Sequence, residues 1–200
     1  MWAIVTDNTI TKIINNPKAL VIGDIQYSRN IFSFRWSNEE REAIGLYEVV
    51  FNNTNKKDEA YYTNTNQTFA FAAGAVTASY GSATAKALTD TLFTAQDEVD
   101  GKGTEGEVAS KGLKSQHKEK IKQQASSLLT NYDWYVIRKA DAGTAVPSAV
   151  TTYRAAVRTK SGEMETLINN AANVDALAAL YVYNNDNPPV RPLGEFPEAV

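Results

Sequence analysis

The hydrophobic period of this chain changes once, and that change limits what it can fold into. Through roughly the first eighty residues, apolar and β-branched side chains come in short runs broken by Asn, Asp, Gly and Pro, a pattern that belongs to strands and tight turns. From Leu113 onward they recur three and four residues apart, which lines one face of a helix. The chain is therefore expected to be α+β: a β-rich N-terminal module with a short helix, then a C-terminal helical hairpin or bundle and an extended Pro-rich tail.

The strand-like part opens with Trp2 to Thr6 and Thr9 to Ile14, separated by Asp7-Asn8, residues that tolerate the positive φ of a two-residue hairpin turn. Ala19 to Ile22 and Asn30 to Trp36 are further strand candidates. Ser37-Asn38-Glu39-Glu40 matches a capping box, in which Ser37 and Glu40 satisfy each other's backbone amides. Gly45 fits the left-handed position that closes a short helix. Leu46 to Phe51 reads as a strand, and Ala60 to Tyr80 as a second hairpin, with Phe69 and Phe71 on one face and a turn at Ala73-Gly74.

Leu88, Leu92, Phe93 and Val99 stand at helical spacing and predict a helix over Ala85 to Val99. Gly101, Gly103, Gly106 and Gly112 then punctuate an acidic stretch around Glu105 and Glu107, the expected linker between modules. The organisation read from the pattern is thus 1–100, a β-rich module; 101–112, a linker; 113–183, a helical module; and 184–200, a tail. Leu113, His117, Ile121, Ala125, Leu128 and Leu129 give the first helix of the helical module its apolar face. Val146, Val150, Tyr153 and Val157 do so for a second helix that starts at Pro147, with Ser161-Gly162 as a break or weak turn. Asn173 caps a last short helix. Pro188, Pro189, Pro192 and Pro197 exclude regular helix or inner strand from the tail.

Composition removes most catalytic chemistry. The chain has no cysteine and one histidine, so thiolate zinc sites, disulfides and cysteine nucleophiles are excluded, and no cofactor or metal site is expected. With 43% hydrophobic residues, two hundred residues can bury a core; a net charge of -3 offers no global attraction to nucleic acid or an anionic membrane. Lys111, Lys114, Lys118, Lys120 and Lys122 lack interleaved aromatics, so no nucleic-acid partner is expected. His117 falls on an apolar helix face, where a packed histidine is expected. The longest apolar runs are far below the roughly 20 residues of a membrane span, and Met1 to Asp7 lacks the basic start of a signal peptide. Asp58-Glu59, Glu39-Glu40 and Glu163-x-Glu165 carry no surrounding acid-base pattern, and no phosphate-loop, nucleophile-elbow or zincin motif occurs. No catalytic residue is assigned, and the chain is read as non-enzymatic.

The richest stretch is Leu128-Leu129-Thr130-Asn131-Tyr132-Asp133-Trp134-Tyr135-Val136, followed by Tyr153-Arg154-Ala155-Ala156-Val157-Arg158. It reads as a helix end, an Asp-Trp punctuation, a turn and a second helix. Trp134 is read as filling the gap between two helices with Asp133 capping the turn, or alternatively as a partner contact. Tyr132, Trp134 and Tyr135 cannot all be buried, so at least one faces a neighbour or solvent. Arg154 and Arg158 lie one turn apart and read as a solvated face or local salt bridge, or as holders of a partner carboxylate. Trp134, Tyr135, Arg154 and Arg158 are the candidate partner-binding residues.

Trp36-Ser37-Asn38-Glu39-Glu40 with Ala43-Ile44-Gly45-Leu46-Tyr47-Glu48-Val49 resembles a short module of phage tail and tail-fibre-associated proteins. Leu128-Leu129, Asp133-Trp134, Val146-Pro147 and Tyr153-Arg154-x-x-Val157-Arg158 together resemble the helical part of the phage tail assembly chaperone group. This chain departs from the shorter members in having more strands before the helical unit, and Thr152 where an acidic or aromatic residue precedes the Tyr-Arg pair. The resemblance implies a structural protein of a tailed-phage virion, made in the host cytoplasm and placed in the tail, baseplate or fibre-attachment region. Its implied partners are other tail or fibre proteins and further copies of itself. The alternative it implies is a tail or fibre assembly chaperone absent from the mature particle.

Overall fold

A computed structural model describes residues 1–200, and the fold is α+β, with a β-rich N-terminal region and a helical C-terminal region. The chain divides into two compact units, Met1–Thr84 and Ala85–Val200. The division falls before the Gly-rich 101–112 stretch expected to link the modules, and that stretch lies inside the second unit.

In chain order the first unit contains β1 (Trp2–Thr6), β2 (Thr9–Ile14), β3 (Leu20–Ile22), β4 (Ile25–Tyr27), α1 (Asn38–Ala43), β5 (Leu46–Asn52), β6 (Tyr62–Thr63), β7 (Gln67–Ala72) and β8 (Ala75–Tyr80), with β9 (Thr84–Ala85) at its end. Five strands form the main sheet in the order β2-β1-β5-β8-β7, antiparallel except for the β5–β8 pair. Its two edges, β2 and β7, curl toward each other into a half-barrel.

The first hairpin turns where expected: Asp7 and Asn8 take φ of 48° and 59°. Val5 pairs with Ile10 and Ala3 with Ile13, because a bulge leaves Thr11 over, its hydroxyl donating to the Ile4 carbonyl at 3.2 Å. Without that extra residue Ile10 and Ile13 would point to opposite faces. With it, both join Ala3, Val5, Val49, Val76 and Ala78 on one side of the sheet. Ile4, Ile14 and Leu46 point to the other side, where Leu20, Ile31, Phe32 and Trp36 cover them. The β7–β8 hairpin also turns at the expected residues, Ala73 and Gly74, with φ of 50° and 76°.

The expected capping box is formed: Ser37 accepts from the Glu40 amide and the Glu40 carboxylate accepts from the Ser37 amide. Gly45 is required twice over, by its φ of +80° and because a Cβ there would stand 2.6 Å from the Val5 carbonyl oxygen. The strand expected over Asn30 to Trp36 is instead a 3-10 turn at Arg29–Phe32. Ser28 caps that turn, and the buried Arg41 guanidinium donates to the Ile31 and Ser33 carbonyls, taking up acceptors that a strand ladder would need.

The second unit contains β10 (Thr91–Leu92), α2 (Ala95–Val99), β11 (Val108–Ser110), α3 (Leu113–Thr130), α4 (Asp133–Ala142), α5 (Ser148–Asn170) and α6 (Val174–Ala179). The helix expected over Ala85 to Val99 shrinks to the single turn of α2, since the backbone before it has another task. The Ala87 and Leu88 carbonyls accept from the Leu113 and Lys114 amides, while the Asp90 carboxylate accepts from the Gly112 amide and the Ser115 hydroxyl. Residues 87–90 thus satisfy the otherwise unpaired first amides of α3. The approach is close enough that a Cβ on Gly112 would meet the Thr89 backbone at 2.3 Å.

On α5 the buried positions are Val150, Arg154, Val157, Ser161, Met164 and Ile168, spaced alternately four and three, with Tyr153 beside them. On α3 they are Leu113, His117, Ile121 and Ala125. The two helices pack antiparallel, Lys114 reaching the Asn169 carbonyl and Arg154 the Leu129 carbonyl. Ser161-Gly162 does not interrupt α5; burial of Met164 and Ile168 carries the helix past it. Asn173 caps α6 by accepting from the Ala176 amide, as expected. The tail has neither helix nor strand, yet it lies back over its own unit. Leu193 is fully buried, its amide donates to the Leu180 carbonyl, and Phe196 packs on the Ala125, Tyr153 and Val157 cluster.

Candidate protein-contact surface

The four residues singled out from sequence separate into two kinds when placed in the fold. Arg154 is buried within the second unit. Its Nη1 donates at 2.9 Å to the Leu129 carbonyl, which also accepts from the Tyr132 amide at the end of α3, and stands 2.8 Å from an Asp133 carboxylate oxygen. The guanidinium therefore joins α3, α4 and α5 from within, so the local salt bridge expected of Arg154 is formed while the partner-facing alternative is not. Arg158, one turn on, is exposed and makes a single long contact of 3.5 Å to the Arg154 carbonyl.

Trp134 does not fill the gap between helices. It is 49% exposed on α4, its ring 3.9 Å from that of Tyr135, with the Arg138 guanidinium 4.7 Å from its centroid. Tyr153 fills the gap instead, 3% exposed and packed against Tyr132 at 5.0 Å between centroids. Tyr135 is half-buried under the same Arg138. Asp133 is the first residue of α4 rather than the cap of an isolated turn.

Helix α4 itself was missed in the sequence reading. Its signals are an acidic residue in the first turn (Asp133), a basic one in the last (Lys139) and Gly143 in the left-handed position beyond it, φ +68°. It has no buried residue, and Val136 and Ile137 are exposed beside Trp134, Ile137 to 66%.

Next to α4 a groove of about 430 Å³ runs between α3 and α5, lined by Lys122, Ala125, Asp133, Arg158, Gly162 and Glu165 among others. Lys122 faces Glu165 at 3.4 Å and Arg154 faces Asp133, so Arg158 is the cation of the groove without a carboxylate. Gly162 widens the wall, since the space where its Cβ would stand is open.

Elsewhere in the unit His117 is buried, its Nδ1 2.7 Å from the Tyr181 hydroxyl; burial holds its pKa below the usual histidine value, and the nearby Lys120 charge acts in the same direction. No group of three or more His, Asp and Glu side chains is placed to hold a metal ion, and no helix is long and apolar enough to cross a membrane. Within the groove the Ser161 hydroxyl donates to the Glu165 carboxylate at 3.3 Å, one turn along α5, and that carboxylate also faces Lys122.

Comparison with family models, curated proteins and solved structures gives no match for this chain.

Proposed function

We propose that this chain is a non-enzymatic structural component of a tailed-phage virion, in the tail, baseplate or fibre-attachment region, working by protein–protein contact. The observation that carries the contact role is α4: a ten-residue helix with no buried residue that presents Trp134, Val136 and Ile137 to the outside. Large apolar and aromatic side chains held on a regular element, flanked by Arg138 and Lys139, have the composition of an interface centre and its rim. The phage setting rests on the resemblance carried by Trp36 to Val49 and by Leu128 to Arg158. In that setting the partners are neighbouring tail or fibre proteins and further copies of the chain itself, and the place of action is the virion after synthesis in the host cytoplasm.

Mass spectrometry of purified virions from the encoding phage tests the reading. Stoichiometric presence in mature particles is the expected result. Complete absence from particles, together with binding to an unfinished fibre protein in infected cells, replaces it with the assembly-chaperone role.

A further inference from the structure

The second unit carries two surfaces that match each other. One is a finger formed by β10, α2 and β11. It is folded locally: Phe93 donates to and accepts from the backbone of Glu107 and Gly106, and Gly103 lies so close under the Phe93 ring that a Cβ would meet it at 2.4 Å. Between Ala95 and Glu107 it bears five carboxylates, Asp97, Glu98, Asp100, Glu105 and Glu107, against Lys102 alone. Lys102 is taken up by Asp97 and Asp100, and Glu105 and Glu107 form no ion pair. Apolar side chains also stand out from the finger, with Val99 80% exposed and Leu92 and Val108 near half.

The other surface is α4 with the adjoining groove. Arg138, Lys139 and Arg158 there form no ion pair and outnumber the unpaired Asp141, while Lys122 and Arg154 are matched by Glu165 and Asp133, and the exposed apolar residues are Trp134, Val136 and Ile137. Each surface has the charge the other lacks, and each exposes apolar groups that water disfavours. The unmatched Arg158 lies in a groove opened by Gly162, where a carboxylate can enter.

We propose that this chain assembles head to tail with copies of itself, the acidic finger of one copy seated on α4 and the Arg158 groove of the next. Because the two faces differ, the contact is heterologous and propagates into a ring, or into a filament if the rotation does not close. This deepens the structural-component reading by naming the surface through which copies meet. It rests on that reading only for its setting, and purified protein answers it whatever the virion inventory shows.

The test is light scattering coupled to size separation and native mass spectrometry on the full chain, with Val99→Asp disabling the finger and Arg158→Glu disabling the groove. Both residues are exposed, and an unchanged far-ultraviolet circular dichroism spectrum confirms that each variant is folded. The wild-type protein is expected to form oligomers beyond a dimer that weaken with added salt. Each variant alone is expected to lose at least tenfold in association. An equimolar mixture of the two is expected to stop at one-to-one dimers, since one good finger and one good groove remain. A wild-type protein monomeric up to the millimolar range overturns the proposal. So do oligomers indifferent to both changes, or a dimer that neither variant extends or caps.

Discussion

Helices α4 and α5 are separated by the short segment 143–147, yet they are held in place by different means. Along α5 a seam from Val150 to Ile168 is buried against α3 and the tail. Along α4 no residue is fully buried, though Tyr135 and Arg138 are half-covered; its first turn is tied to the unit by Asp133 on Arg154 and by Tyr135 against Tyr132, and its last turn closes on itself with the Gly143 amide donating to the Lys139 carbonyl. Ten residues make a marginal helix in water, because nucleation costs more than a few backbone bonds return. The difference teaches that helical order and core membership are separable here. A helix with no buried residue that exposes Trp134, Val136 and Ile137 leaves that face open to a neighbour.

The contrast is broken most sharply by truncation within the seam. Met164→Ala removes a fully buried side chain and is expected to cost about 2–5 kcal/mol of stability, read from urea or thermal unfolding. Arg154→Ala comes next. It removes a buried guanidinium that bonds the Leu129 carbonyl and releases Asp133, so it is expected to cost about 1–3 kcal/mol, although the Leu129 carbonyl keeps the Tyr132 amide as a donor. Its specific mark is amide exchange confined to Asp133–Ala142, which should quicken more than exchange in α5. Equal quickening in both helices would show that α4 has support beyond its first turn.

Much of the fold could be read from residue order, and the failures in the strand over Asn30 to Trp36 and the helix over Ala85 to Val99 share one cause, whereas α4 was missed although its start and stop signals are local. The hairpins at Asp7-Asn8 and Ala73-Gly74, the Ser37 capping box, and helices α3, α5 and α6 all depend on interactions within a few residues or on a long repeated period. The strand expected over Asn30 to Trp36 and the helix expected over Ala85 to Val99 failed because distant groups claim their backbone: Arg41 in the first case, the amides of α3 in the second. The bulge at Thr11, which unites Ile10 and Ile13, was equally invisible, since it depends on which neighbours β1 acquires. For the proposed contact surface, the residues read from sequence fall into different environments in the fold. Arg154 and Arg158 have the same chemistry and differ in whether the Leu129 carbonyl and Asp133 lie within reach. Tyr153 packs on the apolar face as expected, whereas Trp134 is exposed because the segment that carries it is a helix rather than a turn.

Smaller effects sharpen the description of the buried side. Tyr153 is packed by its ring while its hydroxyl is buried without a partner. Tyr153→Phe is therefore expected to raise stability, by on the order of 1 kcal/mol, where loss of a useful hydrogen bond would lower it. Gly162→Ala is likewise expected to stabilise α5 by about 0.5–1 kcal/mol, since the added methyl meets open space and the helix gains a better former. The packing of α3 is tested by pH. The folded protein binds a proton at His117 more weakly than the unfolded chain does, so this group's contribution is complete above the ordinary histidine value of 6.5 and declines as pH falls below it toward the lowered folded value. Thermal midpoints of wild type and His117→Gln, compared between about pH 7 and 5, are expected to converge as the pH falls.

The smallest expected effect bears most directly on why α4 exists. Ile137→Ala removes a side chain as apolar as those in the α5 seam, but one that already lies 66% in solvent. Its truncation leaves no cavity, and alanine is the better helix former, so stability is expected to change by less than about 0.5 kcal/mol. Association through α4 is expected to weaken by a clearly larger factor, because there the same side chain passes from water into an interface. A stability loss as large as that of Met164→Ala would place Ile137 in the core of the unit and remove the distinction between the two helices. Neutrality in stability with weaker association assigns the side chain to the neighbour.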